Sequence, residues 1–204
     1  LVGSEMCIRD RALILFVPIS GFIVFSYDFY ALWQKSLSSD ELMLITVLST
    51  LTVVQAYFNS VTSTMGQISV VVNKLKLPVF VSLGCGIISI IAEIVLIKFF
   101  GMGLYAIVLS TTVVMIARYI VFNSFYAAWC LKQPMTYFLP AALKTWLSIP
   151  VLIVLMILIR TALPIHSWMG LCLDAVLAGG VGYVFMLAIY GRDELNAILS
   201  KLKK

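Results

Sequence analysis

Six long apolar stretches divide this chain of 204 residues, and they restrict its fold more than any other feature. A helix needs about 20 mostly apolar residues to cross the hydrocarbon core of a bilayer. Each stretch is close to that length or longer, and turn-forming or charged residues separate it from the next. The predicted spans are 12–30, 42–71, 77–97, 103–129, 139–160 and 168–190. The sequence therefore predicts an all-α polytopic membrane protein with about six transmembrane helices.

The composition agrees with a membrane protein and excludes several classes of function. Hydrophobic residues make up 62% of the chain and charged residues only 11%, whereas soluble domains carry roughly 25% charged residues. The net charge of +5 fits cytoplasmic loops better than a nucleic-acid surface, so we expect no nucleic-acid partner. The sequence contains no nucleotide-binding loop, metal-ligand cluster or catalytic triad. We therefore expect neither an enzyme nor a bound metal or cofactor.

The distribution of lysine and arginine predicts the orientation in the membrane. With six spans, the side that carries the C-terminus holds seven basic residues, and the opposite side holds three: Lys35, Lys98 and Arg160. The seven are Lys74, Lys76, Lys132, Arg192, Lys201, Lys203 and Lys204. The positive-inside rule then places the C-terminus in the cytoplasm. Residues 192–204 are expected to form a short polar tail helix there, with an apolar face that lies along the membrane surface.

The first ten residues, "LVGSEMCIRD", differ in character from the span that follows. They show neither a signal-peptide layout nor a helical period, and they resemble the translation of a transposon-derived sequencing-library adapter. Segments of this kind are set aside when a fold is predicted. We expect residues 1–10 to be foreign and to pack little against the bundle. We also expect the natural protein to extend upstream, so that residues 11–191 form its C-terminal six-helix lobe.

The second span carries a polar stripe along one helix face. Its members recur every three or four residues: Thr52, Gln55, Asn59, Thr62, Gly66, Ser69 and Asn73, with Ser63 and Gln67 widening the face. Amides facing lipid would remain unpaired at a cost of several kcal/mol each, so the stripe must face protein or water. Hydrogen bonding between packed helices and a hydrated translocation cavity both satisfy this requirement. On the second interpretation, the candidate substrate-binding residues are Gln55, Asn59, Thr62 and Gln67.

Ionisable residues inside membrane spans are functional candidates by default. Arg118 and Lys144 lie toward the expected cytoplasmic side, and we add both to the candidate substrate-binding residues. Asp28, Glu93 and Asp174 lie nearer the opposite side and are candidates for coupling transport to an ion. The alternative for each is structural: a lysine can extend its ammonium group to the interface, and an acidic residue can pair within the bundle.

A family resemblance rests on the segment "VVVNKLKLPVFVSLGCGIISIIAEIVLIKFFGMGLYAIVLSTTVVMIARYIVF". Its features are a long span ending in Asn-Lys-x-Lys, an apolar span closing on Phe-Gly, and Gly103 at the start of the next span. The proline-bearing first span, "FVPISGFIVFSYDFYALW", agrees with the same pattern. Together these segments resemble the C-terminal half of polysaccharide flippases, which belong to the multidrug/oligosaccharidyl-lipid/polysaccharide exporter superfamily. The resemblance covers most of residues 11–130 and is weaker over the last two spans.

The resemblance implies a flippase of the bacterial inner membrane that translocates lipid-linked oligosaccharide for surface polysaccharide synthesis. In that family, two helical lobes surround a central cavity that opens alternately to the cytoplasm and the periplasm. This chain would supply one lobe and would be inactive alone. The implied partners are membrane lipid, the lipid-linked substrate and the glycan polymerase machinery.

Two other functions remain open at the level of sequence. A cation-coupled multidrug exporter of the same superfamily would favour acidic over basic residues in its cavity. A non-transporting membrane scaffold would keep the polar stripe dry and fully paired between helices.

Overall fold

The computed structural model describes the backbone of residues 2–162 and 167–202, and the side chains of residues 11, 14–140, 142–143, 145–161 and 167–189. The described helices are α1 (Val2–Trp33), α2 (Ser39–Val71), α3 (Lys76–Phe100), α4 (Leu104–Ala117), α5 (Ser124–Cys130), α6 (Leu139–Ala162) and α7 (Trp168–Leu202). A π-helical segment, Arg118–Asn123, joins α4 to α5, so that Leu104–Cys130 forms one continuous helical span.

The described helices confirm the prediction of an all-α polytopic membrane protein. Five helical stretches are long and apolar enough to cross a bilayer: Ile14–Trp33, Ser39–Val71, Lys76–Phe100, Leu104–Cys130 and Trp168–Ile189. The described apolar part of α6, Thr145–Thr161, is shorter, so the sixth span remains a prediction. All six helical stretches lie where the apolar runs of the sequence place them.

The backbone is helical at both ends of the described chain. Helix α1 begins at Val2, so the first residues continue the helix of the first span although they show no helical period. Their side chains lie outside the described residues, as does the expected absence of packing. At the other end, α7 runs through Leu202 without a break, so the backbone shows no separate tail helix. A single glycine such as Gly191 costs a helix only about 1 kcal/mol, which is too little to end it.

Short connections turn each helix back beside the next. Ser38 caps α2 through a capping box, in which its hydroxyl oxygen accepts from the Glu41 backbone and its own N–H donates to Glu41 Oε2 over 2.9 Å. Gly101 ends α3 with φ +61°, and Gly103 precedes α4 with φ +53°, a backbone region that favours glycine. We call the end of the bundle with connections 34–38 and 101–103 the Asp28 end. The end with connections 72–75 and 131–138 is the Lys74 end.

Helix α1 packs against α2, α6 and α7. Phe16 is fully buried there, and its ring meets the ring of Tyr57 of α2 edge-on with centroids 4.9 Å apart. Helix α3 packs against α4 and exposes a row of large aliphatic side chains, including Leu83, Ile87 and Ile91. In a membrane these side chains contact hydrocarbon, so their exposure carries no penalty.

Pro18 shows how the bundle tolerates a proline within a membrane helix. A proline inside a helix has no N–H to donate to the carbonyl four residues earlier, which here belongs to Ile14. The Tyr183 hydroxyl of α7 donates to that carbonyl over 3.2 Å. The hydrogen bond that α1 loses at Pro18 is thus replaced by one from a neighbouring helix.

Candidate functional site

A polar cavity of about 250 Å³ lies between α2, the start of α3, the π-helical segment and α5. We call it the Arg118 pocket. Its lining combines one guanidinium group, two amides, two serine hydroxyls and two tyrosines with a few apolar groups. The lining residues are Asn59, Ser63, Met65, Gly66, Ser69, Pro78, Arg118, Tyr119, Phe122, Asn123 and Tyr126. The pocket therefore lies between the middle of the bundle and its Lys74 end.

The π-helical segment supplies one wall of the pocket. Four of its six residues line the cavity: Arg118, Tyr119, Phe122 and Asn123. A π-helix pairs backbone groups five residues apart and widens the turn, and such segments occur frequently at functional sites. The wider turn brings Arg118 and Asn123, five positions apart, to the same cavity.

Arg118 is a cation without a counter-ion in the part of the chain that the structure describes. Its Nε atom is buried and has no hydrogen-bond partner there. Nη1 makes only a weak contact, 4.0 Å from the Met115 sulfur one helical turn earlier. An unpaired buried charge is costly, and a guanidinium binds carboxylate or phosphate oxygens through paired hydrogen bonds. The pocket is therefore suited to an anion that the described residues do not provide.

The structure brings some of the sequence-predicted residues together and separates others. Asn59 lines the Arg118 pocket and is exposed. Thr62 is fully buried, donates to the Phe58 carbonyl over 3.1 Å and accepts from Asn123 Nδ2 over 3.5 Å, so it holds α2 against the π-helical segment. Gln55 is half-buried and Gln67 is exposed, and neither belongs to the pocket lining.

The sequence-based selection omitted Asn123, Tyr119 and Tyr126. In a regular α-helix, residues five apart point to different faces, so the period of the fourth span did not associate Asn123 with Arg118. The π-helical segment changes that period. Ser63 and Ser69 belong to the predicted polar stripe but are not among the predicted substrate-binding residues, and both line the pocket.

A second guanidinium group reaches the same wall of α2. Arg11 Nη1 donates a hydrogen bond to Ser63 Oγ, which itself lines the pocket. Arg11 directly follows the ten residues that resemble an adapter. The positive charge beside the polar stripe therefore does not come from Arg118 alone.

An aromatic stack connects the pocket to the Lys74 end. The rings of Phe122 and Tyr126 are stacked with centroids 5.1 Å apart, and those of Tyr126 and Trp129 are stacked at 5.5 Å. Lys74 Nζ lies 4.1 Å from the centroid of the Trp129 ring, and the Tyr126 hydroxyl donates to the Lys74 carbonyl over 2.9 Å. These contacts, which we call the Lys74 clasp, fasten the end of α2 to α5.

The acidic candidates lie in three different environments. Asp28 pairs with Arg160 of α6: Nη2 donates to Oδ1 over 3.0 Å, and Nε lies 2.7 Å from Oδ2 without the alignment of a hydrogen bond. Asp174 is buried on α7, and its Oδ2 has no partner among the described side chains. Glu93 is half-buried on α3. The side chain of Lys144 lies outside the described residues.

The groups that line the Arg118 pocket are suited to binding a ligand. Within the described ranges, no group of three or more His, Cys, Asp or Glu side chains is arranged to hold a metal ion. The Arg118 pocket instead offers hydrogen-bond donors and a fixed positive charge, which suit an anionic polar ligand. No protein-family model, curated protein or solved structure matches the chain.

Proposed function

We propose that this chain forms one lobe of a flippase that moves lipid-linked oligosaccharide across the bacterial inner membrane for surface polysaccharide synthesis. The proposal rests on the environment of Arg118, because its buried Nε has no hydrogen-bond partner in the described part of the chain. A lipid-linked oligosaccharide carries a pyrophosphate, and its charges must leave the aqueous layer to cross. A fixed guanidinium replaces part of the lost hydration.

The remaining groups of the Arg118 pocket suit the sugars that follow the pyrophosphate. Asn59, Ser63, Asn123 and Tyr119 line it with amides and hydroxyls. Such groups make individually weak hydrogen bonds of about 1 kcal/mol each. Weak and numerous contacts allow an oligosaccharide to pass without being trapped.

The polar stripe supports a transporter over a scaffold. A scaffold requires the stripe to be dry and fully paired between helices. Thr62 and Ser69 are buried, but Asn59 and Gln67 are exposed and form no hydrogen bond to another described residue. The stripe is therefore packed at some positions and left open at others, as expected of a helix that borders a hydrated cavity.

The charge of the pocket supports a lipid flippase over a cation-coupled drug exporter. The described lining contains an arginine and no acidic side chain, which suits an anionic substrate. The lobe proposed here would face a second lobe across the central cavity and alternate between cytoplasmic and periplasmic access. Its C-terminus would lie in the cytoplasm, and the Lys74 end would then lie on the cytoplasmic side. The Arg118 pocket would therefore meet the pyrophosphate head group as the lipid enters from the cytoplasmic leaflet.

The test is complementation of surface polysaccharide in a flippase-deleted strain by the full-length protein. Arg118→Ala removes the cation and is expected to abolish polysaccharide at unchanged membrane abundance. Arg118→Lys keeps the charge but loses the paired hydrogen bonds, so it should retain part of the activity. Lys98→Ala is the matched control, because it removes one positive charge from an exposed helix end outside the pocket. Normal polysaccharide from Arg118→Ala would overturn the assignment of the site.

A further inference from the structure

Two lysines from different connections are held beside one exposed tryptophan at the Lys74 end. The Trp129 side chain is 53% exposed, and Lys74 Nζ lies 4.1 Å from the centroid of its ring. The backbone N–H of Lys132 donates to the Trp129 carbonyl over 3.1 Å. Both lysines are exposed. We call Lys74, Trp129 and Lys132 the Trp129 cluster.

The backbone fixes the positions of both lysines. Helices α2 and α5 end in the same tight turn, in which an N–H donates to the carbonyl five residues earlier. Lys74 donates in this way to Ser69 over 2.8 Å, and Gln133 donates to Ala128 over 3.0 Å. Lys132 has φ +55°, a conformation that glycine adopts without cost and that strains other residues. A lysine thus occupies a position at which glycine would be less strained.

The Trp129 cluster lies at the depth of lipid head groups. The span Ser39–Val71 is about 50 Å long and the span Leu104–Cys130 is about 40 Å long, at 1.5 Å per residue. The hydrocarbon core of a bilayer is only about 30 Å thick, or about 40–45 Å with the head groups. Both spans therefore end in the head-group layer, where tryptophan is also enriched. The two lysines directly follow these ends, so phosphate groups surround them.

The charge of the Trp129 cluster is not compensated locally. Neither connection 72–75 nor connection 131–138 contains an acidic residue. A lysine near the C-terminus of a helix also interacts favourably with the helix dipole. That interaction requires neither a tryptophan shared by two connections nor a left-handed backbone at Lys132. The arrangement therefore indicates a ligand that engages both lysines at once.

We propose that the Trp129 cluster binds the head group of an anionic phospholipid from the surrounding bilayer. The two ammonium groups would contact the phosphate oxygens, and the exposed indole ring would lie against the glycerol part of the lipid. Phosphatidylglycerol suits the cluster because its head group keeps the negative charge of the phosphate. Phosphatidylcholine suits it less, because its quaternary ammonium group is repelled by the two lysines.

The probe is phosphatidylglycerol with a diazirine on its head-group glycerol, present as a minor component of phosphatidylcholine vesicles that contain the full-length protein. After photolysis, mass spectrometry is expected to find the label on Trp129 or a residue next to it. Lys74→Gln and Lys132→Gln should each lower this labelling about fivefold, the effect of removing one basic residue from an anionic membrane surface. Lys74→Arg keeps the charge and also stacks on aromatic rings, so it should retain the labelling.

Lys76→Gln is the matched control, because it removes the same charge from an exposed position two residues later, outside the cluster. Lys132→Gln leaves the contact between Lys74 and the Trp129 ring in place. It therefore tests the site even if Lys74→Gln disturbs the Lys74 clasp. Labelling requires no transport, so this proposal and the function proposed for the Arg118 pocket can fail independently.

Two competitors identify the source of the phosphate. Excess unlabelled phosphatidylglycerol should abolish the labelling, whereas glycerol 3-phosphate in solution should leave it unchanged. The proposal is overturned if the variant with both Lys74→Gln and Lys132→Gln labels as strongly as the unsubstituted protein. It is also overturned if Lys76→Gln lowers the labelling as much as Lys74→Gln does, or if glycerol 3-phosphate competes as strongly as the lipid.

Discussion

Arg118 and Arg160 both lie in long helical spans of this bundle, but only Arg160 has an acidic partner among the described residues. Arg160 faces Asp28 across α1 and α6, with Nε 2.7 Å from a carboxylate oxygen. Arg118 lies in a polar pocket, and its buried Nε has no partner among the described residues. Arg160 is therefore neutralised by the fold, whereas Arg118 retains its capacity to bind an anion.

This contrast suggests that the charge of Arg160 stabilises the fold, whereas the charge of Arg118 serves to bind a ligand. An ion pair at a partly exposed position contributes about 0–1 kcal/mol to stability, and it needs nothing from a ligand. An unpaired guanidinium gives the fold no such gain and becomes favourable when an anion arrives. The pairing also bears on Asp28, which was a candidate for ion coupling. Its carboxylate already has a cation, which favours a structural role.

Of the three further substitutions that test this contrast, the one that gives Arg118 a counter-ion is expected to have the largest effect. Asn59→Asp places a carboxylate in the same pocket, where it should pair with the guanidinium and compete with the substrate anion. We expect surface polysaccharide to fall about tenfold or more, as when a binding interaction of at least 1.4 kcal/mol is lost. Asn59→Ser is the control, because it removes the amide without adding charge. Full activity of Asn59→Asp at normal abundance would show that the pocket does not handle an anion.

The sequence predicted the helices and part of this contrast. The spans follow from apolar runs of sufficient length, and Arg118 stood out because a charge in a span is rare. The pairing of Asp28 with Arg160 was not predicted, since 132 positions separate them and helix periodicity says nothing about which helices meet. Asn123 was missed because the π-helical segment alters the local period.

The second prediction tests the paired arginine. Asp28→Asn removes the counter-ion of Arg160 but keeps the shape of the side chain. We expect a loss of up to about 1 kcal/mol of stability, or a fall in Tm of about 2–4 °C, with polysaccharide production largely preserved. Thermal unfolding in detergent and the complementation assay measure the two quantities, and Asp40→Asn at the exposed start of α2 is the control. If Asp28→Asn kept a normal Tm but no longer restored polysaccharide production, Asp28 would have a role in transport and not only in stability.

The smallest effect is expected at Lys74, a third basic residue whose partner is an aromatic ring. Its ammonium group lies 4.1 Å from the centroid of the Trp129 ring, in a position that is exposed. Such a cation–π contact contributes about 0.5–1 kcal/mol. Lys74→Gln should therefore lower Tm by only about 1–4 °C, and Lys74→Arg should restore it, because a guanidinium also stacks on aromatic rings. Lys76→Gln, which removes the same charge two positions later, controls for the net charge of the connection.

The hydrogen bond from the Tyr126 hydroxyl to the Lys74 backbone carbonyl does not involve the lysine side chain, so this contact of the Lys74 clasp survives the substitution. If Lys74→Gln instead abolished polysaccharide while Tm stayed unchanged, Lys74 would belong with Arg118 as a cation reserved for the substrate, and the ring would serve only to hold it in place.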